Sequence, residues 1–377
     1  MRAGIIGGAS LIERANTELS VEETVFYTVK QGLESIGWDR SEVQTVVQCA
    51  DDVLDGISIN HVYQVEAAGS FLKDESKVER DGAWGAMYAM AKILTGKFQT
   101  AMVVAYSKCS QVGYSAFTGM NADPFFLRPV GVDGDGLAGL QARHYMQASG
   151  ASEADLAAVT VKNRLNASRN PRAMAGEGAE LDTAAVLASP FVAEPIRELD
   201  CAQAGDGCVV LFLASDDYIK SNKLDASYIR SVGFASDRYY PTFRKLDRVE
   251  SARVAVEKAT TRAGINPADV DFAEVHECYG YQELMLYESL GLVPEGHGLD
   301  FLRQGASQKE GRLPVNASGG ALGSHIPYAA GLMRMLEAHL QIQGRAGTNQ
   351  LGKADLALVH GQAGLAMQSN IAFFLER

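Results

Sequence analysis

Two stretches decide the fold: Gly37-Trp38-Asp39-Arg40-Ser41-Glu42-Val43-Gln44-Thr45-Val46-Val47-Gln48 and Gly264-Ile265-Asn266-Pro267-Ala268-Asp269-Val270-Asp271-Phe272-Ala273-Glu274-Val275. They are two copies of one unit. Glu23, Val29, Gly37, Glu42 and Val43 recur at a constant offset as Glu250, Val256, Gly264, Asp269 and Val270. In each copy an amphipathic helix (Val21 to Ile36, then Val249 to Ala263) ends at a glycine. A short turn follows, then a buried strand (Val43 to Gln48, then Val270 to Val275).

A second helix and strand follow in each half. Gly82 to Leu94 leads to Ala101-Met102-Val103-Val104-Ala105, and Ala330 to Ile342 leads to Leu356-Ala357-Leu358-Val359. Helices alternating with continuous apolar strands require mixed, largely buried sheets covered on both faces. The reading is a duplicated, layered α/β fold. Its first half takes in residues 1–113 and 200–225, closed by the core strand Asp206 to Ser215. The second half is residues 226–377. Residues 114–199, richer in Gly, Pro, Asn and Arg and helical around Gly136 to Gln147 and Glu153 to Ala167, form an inserted loop or cap domain.

The chain has 377 residues, is 47% hydrophobic and 21% charged, and can bury a large core. Its formal charge of −12 repels phosphate backbones and anionic headgroups, so no nucleic-acid partner is expected. The apolar run Cys208 to Ala214 falls far short of the roughly 20 residues that cross a bilayer, and Met1 to Gly8 reads as a first strand rather than a signal segment. No membrane partner is expected, and a cytoplasmic location is. Cys49, Cys109, Cys201, Cys208 and Cys278 are odd in number, scattered and without a CxxC pair. Neither a disulfide framework nor a metal in this chain is expected.

Four segments carry a resemblance. Leu199-Asp200-Cys201 to Asp206-Gly207, Val275-His276-Glu277-Cys278-Tyr279, Asn316-Ala317-Ser318-Gly319-Gly320 and His360-Gly361-Gln362-Ala363-Gly364 resemble the loops of the thiolase superfamily, in its sterol-carrier-thiolase branch. The resemblance runs over essentially the whole chain and implies a thiolase fold, with coenzyme A thioesters as substrates. It implies an oxyanion pair in His276 and His325 and an acid/base thiol in Cys278. His360 stands where ordinary thiolases carry a second cysteine. It departs from the family around His325, where Ser324 and Ile326 replace a glycine and a proline.

The larger departure is at the nucleophile. The family places a cysteine at the head of a buried helix, where free amides lower its pKa. Counting back from Gly96 reaches Glu79, within Lys77-Val78-Glu79-Arg80-Asp81-Gly82, which contains no Cys, Ser or Thr. Three readings stand open: Glu79 or Asp81 only caps the helix, Glu79 serves as a general base, or Cys109 substitutes as the nucleophile.

Arg143, Lys162, Asn163, Arg164, Arg169 and Arg172 put local positive charge where CoA would lie. Tyr106, Tyr114, Phe117, Phe125, Phe126, Tyr279, Tyr281 and Tyr328 supply aromatic surface for a bulky acyl group. The resemblance further implies a homodimer, paired through strand edges near Ala101 to Ala105, and a small zinc-ribbon/OB-fold partner subunit. The function expected is a subunit that makes or breaks a carbon–carbon bond in a 3-oxoacyl-CoA by thiolysis or Claisen chemistry. Retro-aldol cleavage of a 3-hydroxyacyl-CoA and a catalytically silent acyl-CoA-binding scaffold are the alternatives.

Overall fold

The computed structural model describes residues 2–174 and 181–377; residues 175–180 of the expected insertion lie outside the described residues. Among the described residues eleven strands are present: β1 (Ala3–Glu13), β2 (Thr45–Cys49), β3 (Asp74–Val78), β4 (Thr100–Lys108), β5 (Phe191–Ala193), β6 (Ile196–Arg197), β7 (Asp206–Ser215), β8 (Ser227–Ser236), β9 (Phe272–Glu274), β10 (Leu356–Ala363) and β11 (Ser369–Glu376). Nine join in the order β3-β2-β4-β7-β1-β8-β11-β10-β9, while β5 and β6 make a separate ribbon.

Read outward from the β1–β8 seam, each half runs first strand, last strand, then the earlier ones. That mirrored order is the duplication seen in three dimensions. Instead of separate sheets, the halves share one sheet, joined where Gly4 and Ile5 pair with Tyr228 and Ser227.

The helices close where the chain chemistry says they should. Ser20 caps Val21–Ile36 in a reciprocal box with Glu23, and Gly37 ends it at φ 69°. Gly264 ends Glu250–Ala263 at φ 67°, so both copies use a left-handed glycine at the same place.

Strand β7 is buried along its whole length, and its side chains divide by the period of two. Val209, Leu211 and Leu213 face a core shared with Ala83, Ala86 and Ile93 of helix Gly82–Leu94, Leu332 and Leu336 of helix Ala330–Ile342, and Val359 and Phe373 of the second half. Cys208, Val210 and Phe212 face the opposite way, toward Val25 and Val29. Beyond the second half, Leu358, Ala372 and Phe374 meet Val256, Ala259 and Leu284. The order through the molecule is therefore helix, half-sheet, helix pair, half-sheet, helix. The two central helices cross closely: a Cβ at Gly82 would lie 2.7 Å from Leu332 Cβ.

Ala101 to Ala105 lie in β4, which is interior to the sheet. The free edge of the first half is β3, two strands further out. Among the described residues no helix is long and apolar enough to cross a membrane.

Leu332 is fully buried between the halves. Leu332→Ala is expected to lower stability by about 2–5 kcal/mol in chemical denaturation, the range for a truncated core leucine. A loss below about 1 kcal/mol would contradict the shared central core.

Candidate active site

Four loops meet at one end of the central helices. Isolated bridges lace them together, pairing Cys201 with Tyr279 and Ala204 with His325. They enclose a cleft of about 580 Å³ lined by Asp81, Cys109, Cys201, His276, Cys278 and His325 among others.

The loop after β9 alternates its side chains. His276 and Cys278 face the cleft, while Glu277 between them is buried in a polar web. Asn163 Nδ2 donates to Glu277 Oε1 at 3.0 Å, and Asn316 Nδ2 donates to Glu277 Oε2 at 2.9 Å. Both asparagines also donate to Glu283 Oε2, at 2.7 and 2.8 Å. Lys162 Nζ sits 2.8 Å from Glu283 Oε1, with both side chains fully buried. Burial first, then the neighbouring Glu283, pushes the Glu277 carboxyl up to about 8. Asn316 holds φ 56° while its Oδ1 accepts from Val275 N–H at 2.8 Å. Gly320 at φ 63° is required, since a Cβ there would lie 2.1 Å from Glu277 Oε1.

Cys278 Sγ is 3.6 Å from His276 Nε2, and the rings of His276 and His325 are centred 5.7 Å apart. Gln362 N–H points at His276 Nδ1 at 3.4 Å, an arrangement suited to a proton on Nε2. Burial keeps His276 well below the ordinary histidine range and holds His325 near 4, with Arg334 adding to the effect on His325. Burial raises the Cys278 thiol, which therefore stays protonated. The site thus presents two neutral imidazoles and a thiol. Nitrogen and sulfur atoms of His276, Cys278 and His325 all lie within 4.8 Å of one another, close enough to hold a soft metal as well as a substrate oxygen.

The remaining expected residues divide. Cys109 lines the cleft, but burial pushes its thiol up to about 12, and its sulfur lies 3.7 Å from Ser107 Oγ. His360 does not line the cleft. It is buried behind His276, bonding Asn370 Oδ1 at 2.8 Å and accepting from His276 N–H at 3.4 Å. Glu79 is a correction: its side chain is 53% exposed, lies 3.6 Å from Lys77 Nζ, and lines no part of the cleft. The carboxylate at the helix head is Asp81, which the sequence reading treated only as a cap.

Several of the basic residues expected near CoA have partners within the protein. Lys162 and Asn163 belong to the buried web, and Arg164 donates to the carbonyls of Leu199 and Cys201. Arg172 pairs with Glu337 at 2.8 Å and Arg143 with Glu194 at 2.6 Å. Lys162, Arg164 and Arg172 are thus engaged inside the fold. Of the aromatic set, Tyr114, Phe117, Tyr279 and Tyr328 line the cleft. Tyr106 and Tyr281 are core residues, and Phe125 and Phe126 are exposed. Gln362, Gln282 and Cys201 line the site without having been singled out; their contacts come from tertiary packing that no local spacing announces.

His325 is expected to titrate near pH 4. The neutral form is favoured in the fold, so its contribution to stability is complete above the ordinary value of 6.5 and is lost as pH falls toward 4. NMR titration of its imidazole checks this, and a midpoint at 6.5 or above would contradict the buried placement.

Residues 236–376 match the thiolase C-terminal domain-like family. The chain is 30% identical over 246 residues to acetyl-CoA acetyltransferase of Methanothermobacter thermautotrophicus, covering 65% of this chain and 64% of that protein. It is 31% identical over 225 residues to sterol carrier protein 2 of Gallus gallus, covering 58% and 41%. It is also 31% identical over 229 residues to 17-hydroxy-3-oxo-4-pregnene-20-carboxyl-CoA lyase of Mycobacterium tuberculosis, covering 59% and 58%. The chain thus spans less than two thirds of these relatives' own lengths. Among solved structures, the Ltp2-ChsH2(DUF35) aldolase superposes with a TM-score of 0.84 at 23% identity, over 100% of this chain and 97% of that one. The chain has a thiolase fold, carries a thiolase C-terminal domain over residues 236–376, and has relatives of the sterol-carrier-thiolase type.

Proposed function

We propose that this chain is the subunit of an enzyme that makes or breaks the carbon–carbon bond next to the thioester of an acyl-CoA. The observation that carries the reading is the convergence of neutral His276, neutral His325 and protonated Cys278 on one cleft. Cleaving that bond leaves an electron pair on the thioester α-carbon, delocalised onto its oxygen. Imidazole N–H groups donate to that oxygen as its charge develops, and the Cys278 thiol returns a proton to the carbon. Aromatic rings of Tyr114, Phe117, Tyr279 and Tyr328 favour a bulky acyl group. Coenzyme A enters as part of the substrate.

Thiolysis needs an attacking thiol and an acylated nucleophile. The head of helix Gly82–Leu94 offers Asp81 instead, which favours a second reading, retro-aldol cleavage of a 3-hydroxyacyl-CoA. The acetyltransferase and the lyase among the relatives illustrate the two classes. A second copy of the chain across the β3 edge is part of the proposal, because Val53, Ile59, Val62, Tyr63 and Leu72, in the segment just before β3, are exposed. A small partner subunit completes the cleft or its mouth in this reading.

Incubation of the full chain with 3-oxoacyl-CoA plus free CoA, and separately with 3-hydroxyacyl-CoA, tests the function. Cys278→Ser is expected to bind acetyl-CoA nearly unchanged while turnover falls by about 10² or more. Equal turnover would remove Cys278 from the mechanism. Light scattering is expected to give twice the chain mass at micromolar concentration, and a monomer mass would reject the paired edge.

A further inference from the structure

Two helices point their amino termini at one carboxylate. Asp81 Oδ1 accepts from Ala83 N–H at 2.8 Å, and Oδ2 accepts from Gly331 N–H at 2.8 Å. The first amide begins helix Gly82–Leu94 and the second begins helix Ala330–Ile342. Gly331 is shaped to the carboxylate, since a Cβ there would lie 2.1 Å from Asp81 Oδ1. The group is only 3% exposed, yet it lines the cleft, and Oδ2 stands 3.9 Å from His276 Nδ1.

Capping alone does not account for this placement. A capping aspartate is ordinarily satisfied at the surface by its own helix, whereas Asp81 is buried where two helices meet, inside a substrate-sized cavity. Its neighbours Arg80 and Gly82 offer no nucleophile, and burial, with Asp206 and Asp55 adding to it, holds the proton on Cys109. What the helix heads present to the substrate is therefore a proton acceptor.

We infer that Asp81 takes the proton from the 3-hydroxyl of the substrate, so that this site cleaves 3-hydroxyacyl thioesters; the inference rests on the enolate reading above. The step balances without a further reactant. The O–H proton passes to the Asp81 carboxylate, the C3–O bond becomes a carbonyl, and the C2–C3 bond breaks. Its electron pair moves to C2 and onto the thioester oxygen facing His276 and His325. Cys278 then gives its proton to C2, releasing a shortened acyl thioester and an aldehyde or ketone. The Asp81 proton returns to the Cys278 sulfur, directly or through water. Burial, opposed by the two amides and Arg334, brings Asp81 up to about 7, where a base is balanced between accepting and releasing a proton near neutral pH.

The test uses the full chain with three probes. 3-Hydroxy-3-phenylpropanoyl-CoA reports retro-aldol cleavage through benzaldehyde. 3-Oxo-3-phenylpropanoyl-CoA with free CoA reports thiolysis. Acetyl-CoA in D₂O reports deuterium entry at the methyl group, which needs the histidines and Cys278 but no 3-hydroxyl. Wild type is expected to release benzaldehyde without added CoA. Asp81→Asn, which keeps one cap acceptor, is expected to lose that cleavage by about 10² or more while circular dichroism shows it folded; Asp81→Glu is expected to recover part of the cleavage. Asp81→Asn cleaving like wild type would overturn the inference, and so would thiolysis as the only wild-type cleavage. Failure of folded Asp81→Glu to recover any cleavage would also overturn it, assigning Asp81 to positioning His276. Absence of both exchange and cleavage in wild type would overturn the enolate reading, and this inference with it.

Discussion

Two carboxylates removed from water, Glu277 and Glu283, set the geometry on which the cleft depends. A buried carboxylate is costly unless each oxygen is hydrogen-bonded or paired. Here the partners come from distant parts of the chain: Lys162 and Asn163 from helix Glu153–Ser168, and Asn316 and the Leu322 amide from the loop ahead of His325. Satisfying the pair therefore forces the inserted region, the His276 loop and the His325 loop into one arrangement. Helix Glu153–Ser168 therefore packs directly beneath the His276 loop. Because Glu277 lies between His276 and Cys278, anchoring it turns both neighbours toward the cleft.

Beside His276 the cleft wall is built from backbone. The helices that fill the space between the half-sheets start side by side, so their unpaired amides converge, and Asp81 occupies that point. Duplication makes this possible, since Gly82–Leu94 and Ala330–Ile342 are equivalent helices of the two halves. The close crossing of Gly82 with Leu332 brings the amides within reach of a single side chain. The cleft thus holds neutral donors, a thiol and, beside His276, the Asp81 carboxyl.

The layered fold was readable because its signals are local. Helix Val21–Ile36 is bounded by Ser20 and Gly37, helices Gly82–Leu94 and Ala330–Ile342 carry clean apolar faces, and β7 is a continuous apolar run. The single shared sheet was not readable, because it hangs on two residue pairs at Gly4 and Ile5. His276, Cys278 and His325 were found through loop resemblance, and they meet in the cleft. Glu79 failed for a physical reason: counting along a helix says nothing about which side chain at its head points inward, and Asp81 is the one the Gly331 amide captures. Nor can sequence show that Glu283 and Glu337 are buried beside Lys162 and Arg172 as their partners.

The central claim is that one thioester oxygen sits between His276 and His325 with its α-carbon facing Cys278. A crystal structure of the full chain with a stable acyl-CoA enolate mimic measures this directly. The account predicts the mimic's oxygen within about 3 Å of a nitrogen on each histidine, the hydrogen-bond distance, and its α-carbon nearest to Cys278 Sγ. An acyl group bound elsewhere, or its oxygen held by neither histidine, would contradict it.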